Sequence, residues 1–247
     1  MGAMGRTVIV GDVHGCSAEL ELLLDRVAFA SGDRLIFVGD LVARGPDSRG
    51  VLDIARTTGA VIVRGNHEQK LIAWRAEQQA WLRGEAQAKA PIGKMHRDIA
   101  RSLRRIDWTL LETSLLHCDL PEHGLRVVHA GVLPGLPFEL QKPATLMSIR
   151  TVRKSGRARE KGGSILWGSR YQGPPHVVFG HHAAPGLQMH AWATGLDTGC
   201  VYGGRLTALV LAHGEKMPRG FARRRALLVS QPSLRVYFDP EERRRVA

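Results

Sequence analysis

Residues 35–46 have the sequence Leu-Ile-Phe-Val-Gly-Asp-Leu-Val-Ala-Arg-Gly-Pro. The four apolar residues end abruptly at a glycine, which predicts a short buried β-strand. Asp40 follows directly, and open α/β sheets place their ligands at the carboxyl ends of their strands. Arg44 comes four residues later in a tight loop. A carboxylate and an arginine together suggest a metal ion and a phosphate, although a Gly-Asp pair alone is common turn chemistry.

The same pattern, a short apolar strand that ends in polar residues beside a glycine, recurs along the chain. Helices predicted near 17–30 and 47–58 separate the first three of these strands. Such an alternation of strands and helices is typical of a layered α/β sheet. The strands are predicted at residues 6–10, 35–38, 60–63, 125–128, 177–179, 193–196 and 206–211.

Five of the predicted strand ends carry side chains that bind metal ions. They are Asp12 with His14, Asp40, Asn66 with His67, His129, and His181. Oxygen and imidazole ligands suit manganese, iron or zinc better than calcium. This number of ligands favours two ions that share a bridging carboxylate over one ion. A single histidine after a strand is more often structural, but five coincident cases are a strong signal.

Composition limits the class of protein. The 247 residues include 35 Lys and Arg against 23 Asp and Glu, which gives a formal net charge of +12 and implies anionic partners. Nucleic acid, a small polyphosphate and a merely solubilising surface all remain open. The sequence has no run of 18 apolar residues, no apolar leader, and three cysteines without CxxC spacing. We therefore expect a soluble, cytoplasmic protein without a membrane partner.

The length predicts a single domain over residues 1–247. Within it we expect a helical insertion near 68–118 and a basic tail near 239–247. Residues 142–163 have the composition of a linker and contain many lysines and arginines. This segment is interpreted either as a mobile loop over the site or as a solvated insertion.

The five strand-end motifs resemble those of the metallophosphoesterases, in the phosphoprotein-phosphatase-like branch. The motifs lie at residues 11–15, 39–45, 65–68, 129–131 and 180–181, and the resemblance spans about residues 6–212. It implies a sandwich of two β-sheets flanked by helices, with a site for two metal ions at the strand ends. Manganese is the expected metal, with cobalt, iron, zinc and magnesium as alternatives.

The resemblance also implies a role for individual residues. One metal ion would be held by Asp12, His14 and Asp40, and the other by Asp40, Asn66, His129 and His181. Asp40 would thus join both ions in the catalytic centre. His67 would be the general acid that protonates the leaving oxygen. Arg44 would grip a phosphate as a planar fork. Further candidates for phosphate binding are Arg150, Arg170 and Tyr202.

Three stretches, at 39–46, 196–207 and 229–233, are similar to those of bacterial symmetrical bis(5'-nucleosyl)-tetraphosphatases. This implies hydrolysis of diadenosine tetraphosphate, and of related dinucleoside polyphosphates, to nucleoside diphosphates by a metal-activated hydroxide. Protein serine/threonine phosphatases usually carry an aspartate where this chain has Ala43, and that carboxylate supports the catalytic histidine. We expect His67, without this partner, to have a lower pKa and a less fixed tautomer.

Other functions stay open at this point. A protein serine/threonine or tyrosine phosphatase is one, and removal of nucleoside-tetraphosphate caps from RNA is another, favoured by the positive charge. A nucleic-acid-binding protein without activity is disfavoured, because every ligand position is filled. Residues 132–176 differ from the tetraphosphatases, which leaves substrate specificity open. The sequence does not predict an oligomeric state.

Overall fold

Thirteen strands and seven α-helices are formed by the residues that the computed structural model describes, which are 5–85 and 92–239. The strands are β1 (Thr7–Val10), β2 (Arg34–Phe37), β3 (Val61–Ile62), β4 (His117–Leu120), β5 (Leu125–Val128), β6 (Thr151–Val152), β7 (Ala158–Arg159), β8 (Ile165–Leu166), β9 (His176–Phe179), β10 (Gln188–Met189), β11 (Ala193–Gly195), β12 (Arg205–Leu211) and β13 (Leu228–Pro232). The helices are α1 (Ser17–Arg26), α2 (Ser48–Thr57), α3 (Asn66–Leu82), α4 (Lys94–Ser102), α5 (Arg105–Glu112), α6 (Pro143–Ser148) and α7 (Phe221–Ala226).

The strands form two five-stranded sheets and a smaller sheet of three strands. The first sheet has the order β13-β12-β1-β2-β3, in which β1, β2 and β3 are parallel. The second has the order β10-β11-β9-β5-β4, in which β11, β9 and β5 are parallel. Parallel strands that are joined by helices bring their carboxyl ends to the same edge of a sheet.

An apolar core lies between the two large sheets. Because side chains alternate between the faces of a strand, Ile9 belongs to this core, whereas Val8 and Val10 pack with the helices on the other face. Strands that are buried on both faces must be apolar throughout, which explains the continuous apolar runs in the sequence. The core between the sheets contains Ile9, Ile36, Val38, Val63, Leu120, Leu125, Val127, Val178, Leu196, Leu209 and Leu211.

All seven predicted strands are present with bounds within one residue of the prediction, and the two predicted helices are shorter than expected. The helix predicted over 17–30 ends at Arg26, and Ala28 beyond it has a φ of 47° that no helical residue adopts. The helix predicted near 47–58 is α2, and its N-cap is Asp47, whose carboxylate accepts a hydrogen bond from the Gly50 N–H. The sequence analysis did not predict strands β4, β6, β7, β8, β10 and β13.

Residues 142–163 contain regular structure, although their composition is typical of a linker. Helix α6 and strands β6 and β7 lie here, and β8 completes the three-stranded sheet, whose order is β7-β6-β8. The segment is anchored because its few apolar side chains are buried under the second large sheet while its basic ones are mostly exposed. The buried anchors are Leu146, Ile149 and Val152.

The insertion predicted near 68–118 contains helices α3, α4 and α5, but its last residues belong to β4, which pairs with β5. Most of the predicted tail, residues 240–247, lies outside the described residues. In the described ranges, no helix has the length and apolar character that crossing a membrane requires.

Candidate functional site

The loops that leave the strands have an unusual backbone. Of six non-glycine residues with positive φ in the described ranges, five lie directly after β1, β2 and β9. Left-handed backbone costs about 1–3 kcal/mol for a non-glycine residue and is retained where the surrounding structure imposes it, typically at functional sites. The five are His14 (φ 49°), Asp40 (50°), Ala43 (76°), Arg44 (71°) and His181 (69°).

The carboxylate of Glu68 holds the loop after β2 in place. Glu68 is fully buried in the first turn of α3. Its Oε2 accepts hydrogen bonds from the N–H groups of Asp40 (2.8 Å) and Gly65 (2.9 Å). Its Oε1 accepts from Leu41 (2.9 Å) and Val42 (3.2 Å). One side chain therefore satisfies four buried backbone donors that would otherwise lack a partner.

Asp40 stands between two groups of imidazoles. Its Oδ2 lies 3.6 Å from His14 Nε2 and 3.5 Å from His129 Nε2. Two clusters share this carboxylate, and within each cluster the candidate ligand atoms lie within 4.8 Å of one another. One cluster contains His14, Asp40 and His67, and the other contains Asp40, His129 and His181. A carboxylate that is shared in this way can bridge two ions.

The backbone orients two of these imidazoles for metal binding. His14 Nδ1 lies 3.2 Å from the carbonyl oxygen of Val42, and His129 Nδ1 lies 3.0 Å from that of Val38. A neutral ring that donates its Nδ1–H to a carbonyl leaves Nε2 unprotonated, which is the tautomer that binds a metal ion. Both Nε2 atoms face Asp40. The donor set therefore fits two borderline divalent ions.

Asp12 and Asn66 lie beside these clusters. Both carboxylate oxygens of Asp12 accept the backbone N–H of His181 at 3.0 Å, which joins the end of β1 to the end of β9. Asn66 Oδ1 lies 3.2 Å from His129 Nε2. The structure thus brings together all six residues that the sequence analysis assigned to metal binding.

Charge coupling sets the protonation of the centre. Burial alone would raise the pKa of Asp40, but His129, His67 and His14 together hold it well below its ordinary value. Burial alone would lower the pKa of His129, but the negative charge of Asp40 outweighs this effect and raises the pKa to about 10. Asp12 has a pKa well above normal because it is buried near the charge of Asp197. The buried carboxylates therefore favour positive charge at this centre, which protons supply in these shifts and which bound cations would supply in their place.

The remaining imidazoles are held neutral. Burial lowers the pKa of His67 to about 4 and that of His181 to about 2. Burial, together with the positive charge of Arg44, holds the pKa of His14 well below its ordinary value. For His14 and His181, the two predicted metal ligands among them, the neutral imidazole is the form that binds metal ions.

Replacing Gly180 by alanine is expected to lower kcat about 100-fold, because it would displace the carboxylate of Asp12. A shift of about 1 Å in a group of an active site can have an effect of this size. A Cβ at this position would lie 1.9 Å from Asp12 Oδ1, so the carboxylate or the β9 loop must shift. Steady-state kinetics on Gly180→Ala tests this. Gly32→Ala is the control, because a Cβ on Gly32 meets nothing within 4 Å. Equal rates for the two variants would contradict the assigned position of Asp12.

A cavity of about 520 Å³ opens beside the centre and is lined in part by Arg44, Arg150, His181, His182 and Tyr202. The Arg44 guanidinium contacts His14 Nε2 and lies 5.6 Å from the centre of the Tyr202 ring, close enough for a cation–π contact. Arg150 Nε and His182 Nδ1 are buried without a hydrogen-bond partner among the described residues. Such orphaned groups need an explanation, and a bound ligand that accepts hydrogen bonds is one.

Arg170, the other arginine predicted to bind phosphate, lies elsewhere. It follows the short helical turn Trp167–Ser169 and lines two other cavities, one with Arg126 and Phe138 and the other with Arg153 and Lys154. The prediction that Arg170 binds phosphate at this site is therefore corrected, because Arg170 lies outside the cavity. Sequence distance from the motifs could not show this, because the position depends on how residues 132–176 fold.

Three residues of the site were missed by the sequence analysis. Glu68 was noted only as part of a motif, although its position three residues after Gly65 is a recognisable capping signal. Asp197 lines the cavity, and burial raises its pKa to about 6. His96 Nε2 lies 3.0 Å from His67 Nδ1. Ala43 therefore does not leave His67 without a hydrogen-bonding partner.

The sequence of this chain is similar to those of known phosphoesterases. The model of the calcineurin-like phosphoesterase family matches residues 5–214. A serine/threonine-protein phosphatase 1 of Salmonella typhimurium is 33% identical over 206 residues, which cover 81% of this chain and 88% of that protein. A symmetrical bis(5'-nucleosyl)-tetraphosphatase of Chromohalobacter salexigens is 31% identical, covering 85% and 96%.

The fold is also similar to that of a solved structure. A crystal structure described as that of "a putative diadenosine tetraphosphatase" has a TM-score of 0.76 and 36% identity, and the match covers 94% of this chain and 95% of that one. The names of matched relatives include both symmetrical and asymmetrical tetraphosphatases. The family match covers most of the chain and includes all the strand ends that form the site. This protein belongs to the calcineurin-like phosphoesterase family.

Proposed function

We propose that this protein hydrolyses dinucleoside tetraphosphates, with diadenosine tetraphosphate as the representative substrate, to two nucleoside diphosphates. The observation that carries the proposal is the carboxylate of Asp40, shared by two imidazole clusters at the mouth of a basic cavity. The tetraphosphatase names among the relatives support this substrate class.

The metal-binding residues are assigned as the sequence predicted them. Asp12, His14 and Asp40 would hold one ion, and Asp40, Asn66, His129 and His181 the other; we propose manganese, with cobalt, iron, zinc and magnesium as alternatives. When bound, two such ions supply an activated water and stabilise the charge that develops on the phosphoryl oxygens.

The chain's own side chains then bind the substrate and move the proton. Arg44 and Arg150 line the cavity and offer guanidinium donors to the polyphosphate. The orphaned Arg150 Nε and His182 Nδ1 give two further nitrogens for the same purpose. Tyr202 supports Arg44 through the cation–π contact. His67 donates the proton that the leaving diphosphate oxygen takes up.

Arg44→Lys is expected to raise KM for diadenosine tetraphosphate about tenfold, because lysine keeps the charge but loses the planar fork that binds two phosphate oxygens at once. Arg170→Lys is the matched control, since Arg170 lines other cavities. Steady-state kinetics on both variants gives the comparison. An equal rise in KM for the two would mean that the polyphosphate does not lie in this cavity.

The purified protein should be incubated with manganese and diadenosine tetraphosphate, and the products resolved by anion-exchange chromatography. A phosphopeptide and a nucleoside-tetraphosphate-capped RNA are run in parallel. ADP as the sole product from the dinucleotide supports the proposal. AMP with ATP would keep the substrate class and overturn the symmetrical position of cleavage. Turnover of the peptide or the RNA, with the dinucleotide untouched, would overturn the substrate class.

A further inference from the structure

His96 lies on α4, the second helix of the insertion, and is only 4% exposed. The adjacent Met95 Sδ accepts the backbone N–H of Arg44 at 3.2 Å. Neighbouring residues of one helix thus contact two parts of the proposed active site, the Arg44 loop and His67. Helix α4 therefore packs against the proposed active site, although it carries none of the five motifs.

The contact between His96 and His67 is an edge-to-edge hydrogen bond. His67 Nδ1 and His96 Nε2 are 3.0 Å apart, whereas the ring centres are 5.0 Å apart, so the two nitrogens lie between the rings. The ring planes differ by only 18°. Such a distance, with rings nearly coplanar, fits one proton shared between a donor nitrogen and an acceptor nitrogen.

We propose that His96 is a positioning residue: it accepts the Nδ1–H of His67, so that the second proton, which His67 must take up to act as an acid, is held on Nε2. The inference rests on the proposed role of His67 as the general acid. Before the step, His67 takes up one proton from solvent and becomes an imidazolium that is protonated on both nitrogens. In the step, its Nε2–H bond breaks and that proton joins the leaving oxygen as the P–O bond breaks. His67 ends neutral with its Nδ1–H still donated to His96, and His96 itself gains and loses no proton.

The choice of acceptor has a consequence for the substrate. A neutral imidazole stabilises a protonated partner less than a carboxylate does, because it carries no opposite charge. An acid held by a neutral acceptor suits a leaving group that needs little protonation, such as a nucleoside diphosphate. An alkoxide leaving group, as in a phosphoserine ester, needs stronger protonation. His96 would thus help to define the class of phosphate that this site cleaves.

The hydrogen bond can be tested without any turnover. In metal-free protein with ¹⁵N-labelled histidine, we expect His67 to show a single tautomer with its proton on Nδ1 and a scalar coupling to His96 Nε2. In His96→Ala the coupling must disappear and His67 must populate both tautomers. A wild-type His67 with its proton on Nε2, or no change in the variant, would overturn the proposal.

Kinetics tests the role in catalysis. His96→Ala is expected to lower kcat about 10–100-fold, the usual effect of removing a group that orients a functional histidine, with KM changed less than about threefold. Across a series of aryl phosphates, the loss should grow with the basicity of the leaving group. His96→Gln, which keeps an acceptor oxygen, should restore part of kcat. His123→Ala, which removes a buried histidine elsewhere, is the control for general destabilisation.

Combined variants separate the inference from the proposed function. If His67 is the acid and His96 acts through it, His67→Ala and the double variant His67→Ala/His96→Ala should have the same kcat. A His67→Ala variant as active as the wild type would overturn the general-acid role. A slow His67→Ala variant with His96→Ala at wild-type rate, or a loss in His123→Ala equal to that in His96→Ala, would overturn the inference alone.

Discussion

Asp40→Asn is expected to lower kcat for diadenosine tetraphosphate by on the order of 10³-fold or more. The substitution replaces Oδ2, the atom between His14 and His129, with an amide NH₂ group that can neither bridge two cations nor carry a negative charge. Oδ1, which accepts the backbone N–H of His67 at 3.0 Å, is preserved, so the loop should keep its conformation. The loss should therefore appear in turnover and not in folding.

The measurement is kcat at saturating manganese, with circular dichroism to verify the fold and calorimetric titration to count bound metal. Fewer bound ions in Asp40→Asn than in the wild type are expected as well. Asp25→Asn makes the same chemical change at an exposed position on α1 and serves as the control. Turnover by Asp40→Asn within about tenfold of the wild type would contradict a centre in which this carboxylate bridges two ions.

Glu68→Gln is expected to lower the free energy of unfolding by about 3 kcal/mol or more. The four N–H groups of residues 40, 41, 42 and 65 converge on two carboxylate oxygens, and a glutamine offers only one oxygen. Its NH₂ group would face two of the donors, which leaves buried N–H groups without a partner. We also expect kcat to fall about 100-fold, because the loop that presents Asp40 loses its support.

Urea denaturation of both proteins at pH 8.5 provides the test. Burial, reinforced by the charge of Asp40, raises the pKa of Glu68 to about 7, so the carboxylate is ionised at this pH. Glu21→Gln, at an exposed position on α1, is the matched control. A Glu68→Gln protein as stable as the control would show that the four hydrogen bonds contribute little.

Local sequence was sufficient to predict the strand ends and the candidate metal ligands. A buried strand is recognised by its own apolar residues, and the glycines beside it allow tight turns and close contacts that few other residues permit. At Gly65, for instance, a Cβ would lie 2.2 Å from Asp40 Oδ1. Within each sheet the ligands could be grouped because parallel strands end at a common edge. The meeting of the ligands after β5 and β9 with those after β1, β2 and β3 depends on how the two sheets pack. The proposed roles of these residues stay predictions until they are measured.

The tertiary structure decided which residues support that centre. Glu68 acts on a loop 26–28 residues before it, and His96 reaches His67 from a helix 29 residues further along the chain. Arg170 lies outside the cavity to which the sequence analysis assigned it, and the sequence did not predict the helix and strands within 142–163. The fold of these segments depends on which apolar side chains find a partner in the second sheet. Hydrophobic periodicity and short sequence motifs predict only the local structure around a residue. Hydrogen bonds and packing between distant segments depend on the whole chain, and they determine which charged side chains meet.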